Sequence, residues 1–180
     1  MIIGIDGLGG SGKTIYAREL QQQIGGSMLF HLDDFIHTKK IRYNDEFEEW
    51  YGYYHLQWRY DYLIETLLRP MKSGLCVNQT VEFYDKENDC HLRRCIEIPI
   101  GTTVIIEGVF LQRSELRQYF DFVIYLDVDK ETRLKRVVER DLYIGSEEEI
   151  THKYENRYFP AEETYSEKCN PLALADFIQK

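Results

Sequence analysis

This chain has no long hydrophobic run, no internal repeat, no low-complexity linker and no Cys-x-x-Cys pair, and each absence closes off a class of protein. The longest apolar stretches, Val104 to Ile106 and Phe122 to Leu126, are far shorter than a bilayer requires, and Met1 leads straight into a strand-like segment with no signal peptide. A cytoplasmic protein is therefore expected. The four cysteines, Cys76, Cys90, Cys95 and Cys169, lack paired zinc spacing, and reduced thiols are the expectation for that compartment. Basic residues are outnumbered, 22 against 31 acidic, and the formal net charge of −9 argues against a general nucleic-acid or anionic-membrane binder. Any polyanion must be held locally. The 180 residues, 43% of them hydrophobic, suit one domain with a sizeable core.

What is present is concentrated at the start. Ile2, Ile3, Gly4 and Ile5 read as a buried strand, followed by Asp6 and then Gly7-Leu8-Gly9-Gly10-Ser11-Gly12-Lys13-Thr14. This is GxxxxGK followed by Thr, a P-loop. Its glycines let consecutive backbone N–H groups turn toward phosphate oxygens, and the helix that follows offers its positive end to the same anion. Lys13 would reach the outer phosphates and Thr14 would hold Mg²⁺. Tyr16, Leu20 and Ile24 recur at i+4 after the loop, and Gly25-Gly26 closes that helix. Gly7, Gly9 and Gly12 also satisfy the dinucleotide pattern GxGxxG, with Asp33 about twenty residues on. Only the P-loop makes use of Lys13 and Thr14, and hydride transfer normally needs a second domain that this length hardly accommodates.

Ser27 to Leu32 reads as a second strand that delivers Asp33-Asp34-Phe35 to the ligand edge of the sheet. Successive residues at a strand end point to opposite sides, so one of the two carboxylates is expected to face the phosphates as a base. Tyr43 to Leu68 carries Phe47, Trp50, Tyr51, Tyr54, Trp58 and Tyr62 mostly at spacings of three and four, which predicts one amphipathic helix ended by Arg69-Pro70. Cys76 to Ile98 reads as a hairpin insertion. Thr102 to Ile106 is a third buried strand leading to Glu107, a candidate for organising the Mg²⁺ water shell. A helix from about Ser114, a fourth strand over Phe122 to Leu126 and a basic helix follow. In that helix Arg133, Arg136 and Arg140 share one stripe suited to a phosphate clamp. A helix around Thr151 to Phe159 and a last strand over Leu174 to Ile178 complete the chain. Alternating strands and helices predict an α/β fold, a parallel sheet with helices on both faces.

Taken together, these segments resemble the uridine kinase and phosphoribulokinase family of P-loop kinases. Gly7 to Thr14 is similar to its phosphate loop, Asp33-Asp34-Phe35 to its Asp-x-Phe and Ile105-Ile106-Glu107-Gly108 to its third-strand glutamate. Arg133 to Asp141 is similar to its lid helix, and Tyr154 to Pro160 with Ala175-Asp176 to its C-terminal parts. The resemblance implies one P-loop kinase domain over residues 1–180, a three-layer sandwich with an arginine lid helix and a small hairpin insertion. It implies ATP with Mg²⁺ as cofactors, held by Gly7, Gly9, Gly10, Ser11, Gly12, Lys13, Thr14, Arg133, Arg136 and Arg140, with the metal at Thr14 and Glu107. Asp33, Lys13, Glu107 and Arg136 would be catalytic, and Asp33, Phe35, Tyr84, Asp85, His91 and Arg93 would contact a small hydroxyl-bearing acceptor. A nucleoside is the first expectation for it, ahead of nicotinamide riboside or pantothenate. After Tyr84-Asp85 the histidine arrives later than in uridine kinases, and the aromatic segment has no counterpart there. A P-loop switch is disfavoured because no Asn-Lys-x-Asp segment follows; Asp129-Lys130-Glu131 does not supply one. The sequence does not fix the oligomeric state.

Overall fold

A computed structural model describes residues 1–142 and 145–180. Five parallel strands form the central sheet: β1 (Ile2–Gly7), β2 (Met28–His31), β5 (Val104–Glu107), β6 (Phe122–Leu126) and β7 (Phe177–Gln179), in the order β2-β5-β1-β6-β7. β3 (Val77–Asp85) and β4 (Cys90–Ile98) pair antiparallel as a separate hairpin. The chain leaves β1 toward one side to make β2 and β5, then returns past β1 to make β6 and β7. The order therefore reverses at β1, and the open end of such a reversal is where parallel sheets hold ligands.

All six residues of β1 are buried, as a strand covered on both faces should be. Alternation sorts its side chains. Ile3 and Ile5 join Ile105, Ile124 and Leu126 beneath helix α1 (Lys13–Gln23), which contributes Ala17, Tyr16 and Leu20. Ile2 turns the other way with Phe30, Val104, Ile106 and Val123, into a larger core built with Tyr53, Tyr54, Trp58, Phe110 and Tyr165. Gly4 belongs to this second face, where a Cβ would come within 3.0 Å of the Phe120 ring. Its lack of a side chain lets that ring lie against the strand.

The aromatic segment departs from the single helix its spacing predicts. Helical turns over Lys39–Arg42 and Glu49–Tyr51, with a π-turn over Gly52–Leu56, give way at Trp58. There Trp58 bridges Ile36, His37 N–H donates to the Gln57 carbonyl at 2.8 Å and Arg59 N–H to the Phe35 carbonyl at 2.9 Å. A new helix begins at Tyr60–Leu63 and continues through a π-turn, Ile64–Leu68, into Arg69–Lys72. The break arises because the strand-like backbone around residue 36 competes for the Gln57 carbonyl and the Arg59 N–H. Side-chain periodicity carries no sign of that competition.

Pro70 does not end the second helix, which runs on to Lys72 and stops before Gly74, φ +73°. The same arrangement recurs at the C-terminus: the π-turn Tyr154–Tyr158 precedes Phe159-Pro160, and the helix continues to Cys169. A π-turn widens the backbone just before the ring, which relieves its clash with the carbonyl one turn back. In place of a helix near Ser114 there is a single 3₁₀ turn, Arg117–Tyr119. The last strand starts at Phe177 because Pro171–Leu174 forms a helical turn first. Three further helices complete the frame: α2 (Lys130–Asp141), α3 (Glu147–Lys153) and α4 (Phe159–Cys169). No helix among the described residues is long and apolar enough to cross a membrane.

Candidate active site

An open cleft of about 560 Å³ lies across the carboxyl ends of β1, β2 and β5, lined at one end by Gly9, Gly10, Lys13, Thr14, Asp33, Asp34 and Glu107. The loop between β1 and α1 forms its floor. Gly10 (φ +81°) and Gly12 (φ +93°) take left-handed backbone conformations that side chains resist, and a Cβ on Gly10 would lie 2.7 Å from the Arg133 carbonyl. Among the described residues, the N–H groups of Gly10, Gly12, Lys13 and Thr14 have no protein acceptor. Four free donors at the positive end of a helix form a cradle suited to phosphate.

The loop is braced from a distance. Gly9 N–H donates to Glu162 Oε1 at 2.8 Å and the Gly9 carbonyl accepts from Arg133 Nη1 at 2.9 Å. Arg133 and Glu162 pair with each other at 2.9 Å, both nearly fully buried. Burial raises the Glu162 pKa despite the Arg133 charge beside it. Lys13 Nζ donates to the Leu8 carbonyl at 3.0 Å, and burial lowers its pKa against the pull of Glu107, Asp6, Asp33 and Glu162. Behind the loop, Asp6 accepts from Gln112 Nε2 at 3.0 Å, from Gly7 N–H at 2.8 Å and from the Tyr165 hydroxyl at 2.5 Å. Burial raises the Asp6 pKa.

Thr14 Oγ1 donates to Glu107 Oε1 at 3.1 Å, and His31 Nδ1 lies 2.6 Å from the same oxygen. Burial works to raise the Glu107 pKa, but the His31 hydrogen bond and the charge of Lys13 outweigh it and hold the group ionised. His31 is raised in turn, chiefly by that hydrogen bond. A hydroxyl and a carboxylate, all oxygen, are the donor types Mg²⁺ takes, so Thr14 and Glu107 fit the cation.

Asp33 and Asp34 both line the cleft, contrary to the expectation that a strand end would turn them apart. β2 ends at His31, and residues 32–34 form a 3₁₀ turn that presents both carboxylates to the same side. Asp33 is exposed at the cleft surface, with protein groups close around it. Desolvation by the surrounding protein and the negative charge of Glu107 raise its pKa, partly offset by Lys13. Asp34 is also raised by burial, with His31 and Arg94 pulling the other way. Phe35 is fully buried against Phe83, ring centroids 5.4 Å apart, and belongs to the core.

The three arginines of α2 occupy three different settings. Arg133 is enclosed between Glu162 and the loop. Arg136 is exposed, with Nη1 3.5 Å from the Gly10 and Ser11 carbonyls. Arg140 pairs with Asp141 at 2.7 Å and reaches the Tyr154 hydroxyl at 3.4 Å. Of Tyr84, Asp85, His91 and Arg93, the hairpin residues expected to contact the acceptor, Tyr84 lines the cleft, its hydroxyl accepting from Arg42 at 2.7 Å and donating to Asp89 at 2.8 Å. Asp85 caps the β3–β4 turn through Glu87 N–H and Asn88. His91 is tied to the Ile36 carbonyl, and exposed Arg93 pairs with Glu82. None of these three lines the cleft.

Sequence reasoning missed His31, Glu162, Arg42, Gln57, Lys153 and Tyr158, all of which line or brace the site. Glu162 meets Gly9 from 153 residues away. His31 carried a legible signal, since it precedes Asp33 by two residues at the ligand end of a strand. The others depend on how distant segments fold over the sheet.

Comparison with known proteins agrees with this geometry. The model of the phosphoribulokinase / uridine kinase family matches residues 2–171. A uridine kinase of Staphylococcus aureus (strain JH9) is 31% identical over 144 residues, covering 78% of this chain and 68% of that one. The solved structure of a possible uridine kinase from Bacillus stearothermophilus superposes with a TM-score of 0.81 at 36% identity, over 100% of this chain and 88% of that one. D-glycerate 3-kinase from Cryptococcus neoformans shares the fold, with a TM-score of 0.63 at 17% identity over 91% of this chain and 78% of that one. The parallel sheet with its P-loop at the reversal of strand order, and a family match spanning nearly the whole length, place this chain in the phosphoribulokinase / uridine kinase family of kinases.

Proposed function

We propose that the protein transfers the γ-phosphoryl group of ATP to a hydroxyl of a small molecule, with a nucleoside as the first acceptor class on the strength of its uridine kinase relatives. The observation that carries this reading is the convergence, at one end of one cleft, of a phosphate cradle, the Thr14–Glu107 oxygen pair and Asp33. Bound Mg²⁺ would neutralise charge on the phosphates. The chain's own residues do the rest. The loop N–H groups and Lys13 hold the phosphates, and Thr14 and Glu107 present oxygens to the cation or its waters. Asp33 accepts the proton as the acceptor oxygen forms its bond to phosphorus and the bond to the ADP oxygen breaks. Arg136, exposed beside Gly10 and Ser11, is positioned to meet the moving phosphoryl group.

ADP release measured with ATP and Mg²⁺ across uridine, nicotinamide riboside, pantothenate and ribulose phosphate tests this reading and ranks the acceptors. Acceptor-dependent release, nearly abolished in Lys13→Ala together with weakened Mg·ATP affinity, is the expected result. Release that ignores every acceptor would make the protein an ATPase. Unchanged nucleotide binding and rate in Lys13→Ala would exclude the P-loop role.

A further inference from the structure

Beyond Asp33 the cleft continues to a wall lined by Lys39, Arg42, Lys86 and Lys153. Four cations on one wall are unexpected in a chain of net charge −9. The acids of the cleft do not answer them. Glu107 is paired with His31, Asp141 with Arg140 and Glu162 with Arg133, while Asp33 and Asp34 stand on the turn after β2, where Lys13 and His31 act on them. Asp89 accepts through Oδ1 from Lys39 N–H and from the Tyr84 hydroxyl, each at 2.8 Å, and its charge acts on Lys39 and Arg42 without an ion pair to either, so one carboxylate stands near four cations. None of the four wall cations makes an ion pair among the described residues.

Arg42 distinguishes this wall from a scatter of surface lysines. It is 8% exposed, and its buried Nε has no hydrogen-bond partner. Its Nη2 donates to a neutral tyrosine hydroxyl, and its guanidinium lies 4.9 Å from the Tyr84 ring and 5.5 Å from the Tyr43 ring. Aromatic faces offset part of the cost of a buried cation and supply no full counter-charge. The wall is also built firmly. Arg157, 1% exposed, stacks on Tyr43 at 4.1 Å and is pinned by the Glu49 carbonyl and Gln57 Oε1, each at 3.0 Å.

We propose that the acceptor is an anionic hydroxyl compound, its carboxylate or phosphate held by Lys39, Arg42, Lys86 and Lys153 while its hydroxyl lies at Asp33. This rests on the kinase reading above and narrows the acceptor within it. A neutral nucleoside leaves the wall unanswered; one that carries a carboxylate, or a phosphorylated sugar, completes it.

Two matched pairs test the idea: uridine against orotidine, which adds a carboxylate, and ribulose against ribulose 5-phosphate. Each is titrated into the full-length protein saturated with a non-hydrolysable ATP analogue and Mg²⁺, so that the P-loop is already filled and cannot capture the anion. The anionic member of at least one pair is expected to bind about tenfold or more tightly, and the pair that shows it identifies the carboxylate or the phosphate as the preferred group. Lys39→Gln combined with Lys153→Gln, both at exposed positions, should erase most of that preference and leave the affinity for the analogue unchanged. Failure of both anions to outbind their neutral partners overturns the proposal, as does a preference that survives the double replacement. ADP release measured in parallel keeps the two readings apart. Anion preference without release would fail the kinase reading alone, and release with neutral and anionic members at equal kcat/KM would fail the anionic wall alone.

Discussion

Asp33 and Asp34 are adjacent, both acidic and both in the cleft, so the question of which acts as base falls to their surroundings. Desolvation acts first on both; among the charges around them, Asp33 shares the field of Glu107 and Lys13, the groups proposed to flank the phosphates, whereas His31 and Arg94 act most on Asp34. Asp33→Asn should therefore lose roughly 10² to 10⁴ in turnover with near-normal Mg·ATP affinity, and Asp34→Asn much less. Steady-state kinetics with nucleotide titration on both variants decides it; an inactive Asp34→Asn beside an active Asp33→Asn would move the role. The same environment sets a pH dependence. Desolvation by the surrounding protein and the charge of Glu107 raise the Asp33 pKa above its ordinary 3.8, so the ionised base is lost at a higher pH than an ordinary aspartate would lose it. The acid limb of kcat/KM should accordingly lie above 3.8 and be missing from the residual activity of Asp33→Asn.

Helix α2 shows how little a stripe of one residue type says about shared purpose. Arg133, Arg136 and Arg140 repeat on one face, yet the first is buried in an ion pair that clamps Gly9, the second is exposed over the loop and the third is tied to Asp141. Arg136→Ala should lower kcat while leaving the melting temperature within about two degrees of wild type, since exposed substitutions move stability by less than about 0.5 kcal/mol. Arg133→Ala should do the reverse first. It leaves Glu162 buried without its cation, a loss of about 3–5 kcal/mol, visible as a lower denaturant midpoint before any assay of activity. Equal stability of the two variants would show that the Arg133–Glu162 pair braces nothing. Elements whose pattern is local were legible in the sequence: β1, the P-loop and α1, the buried strands β5 and β6, and the hairpin. The aromatic segment was not, because its break at Trp58 comes from backbone pairing with Ile36, and a face count registers side chains only. Pro70 misled for a related reason, since the π-turn before it is invisible to a rule that treats proline as a stop.

Across the whole molecule, the first strand and the last helix are joined at one buried point. The Tyr165 hydroxyl donates to Asp6 Oδ2 at 2.5 Å and accepts from Gln112 N–H at 3.0 Å, linking residues 159 positions apart just behind the phosphate loop. Burial pushes the Tyr165 pKa far up, and Asp6 beside it adds to the shift, so the hydroxyl keeps its proton and remains a donor. Glu162, one turn earlier on α4, holds Gly9 in the loop itself. The helix therefore grips the nucleotide end of β1 from both sides of the loop, and phosphate-loop geometry depends on C-terminal packing. Tyr165→Phe keeps the ring against Phe110, whose centroid is 5.0 Å away, and removes only the hydroxyl. Asp6 keeps Gln112 Nε2 and the Gly7 N–H, but the buried Gln112 N–H is left unsatisfied, and a cost of about 1–3 kcal/mol for that group predicts a clear fall in the denaturant midpoint with an unchanged m-value. Saturating Mg·ATP should recover part of that loss, because a ligand bound only to the folded form stabilises it by mass action. If Tyr165→Phe unfolds at the wild-type midpoint, the Asp6 network is dispensable; if it is destabilised and nucleotide affinity is untouched, the grip of α4 on the loop is carried by Glu162 alone.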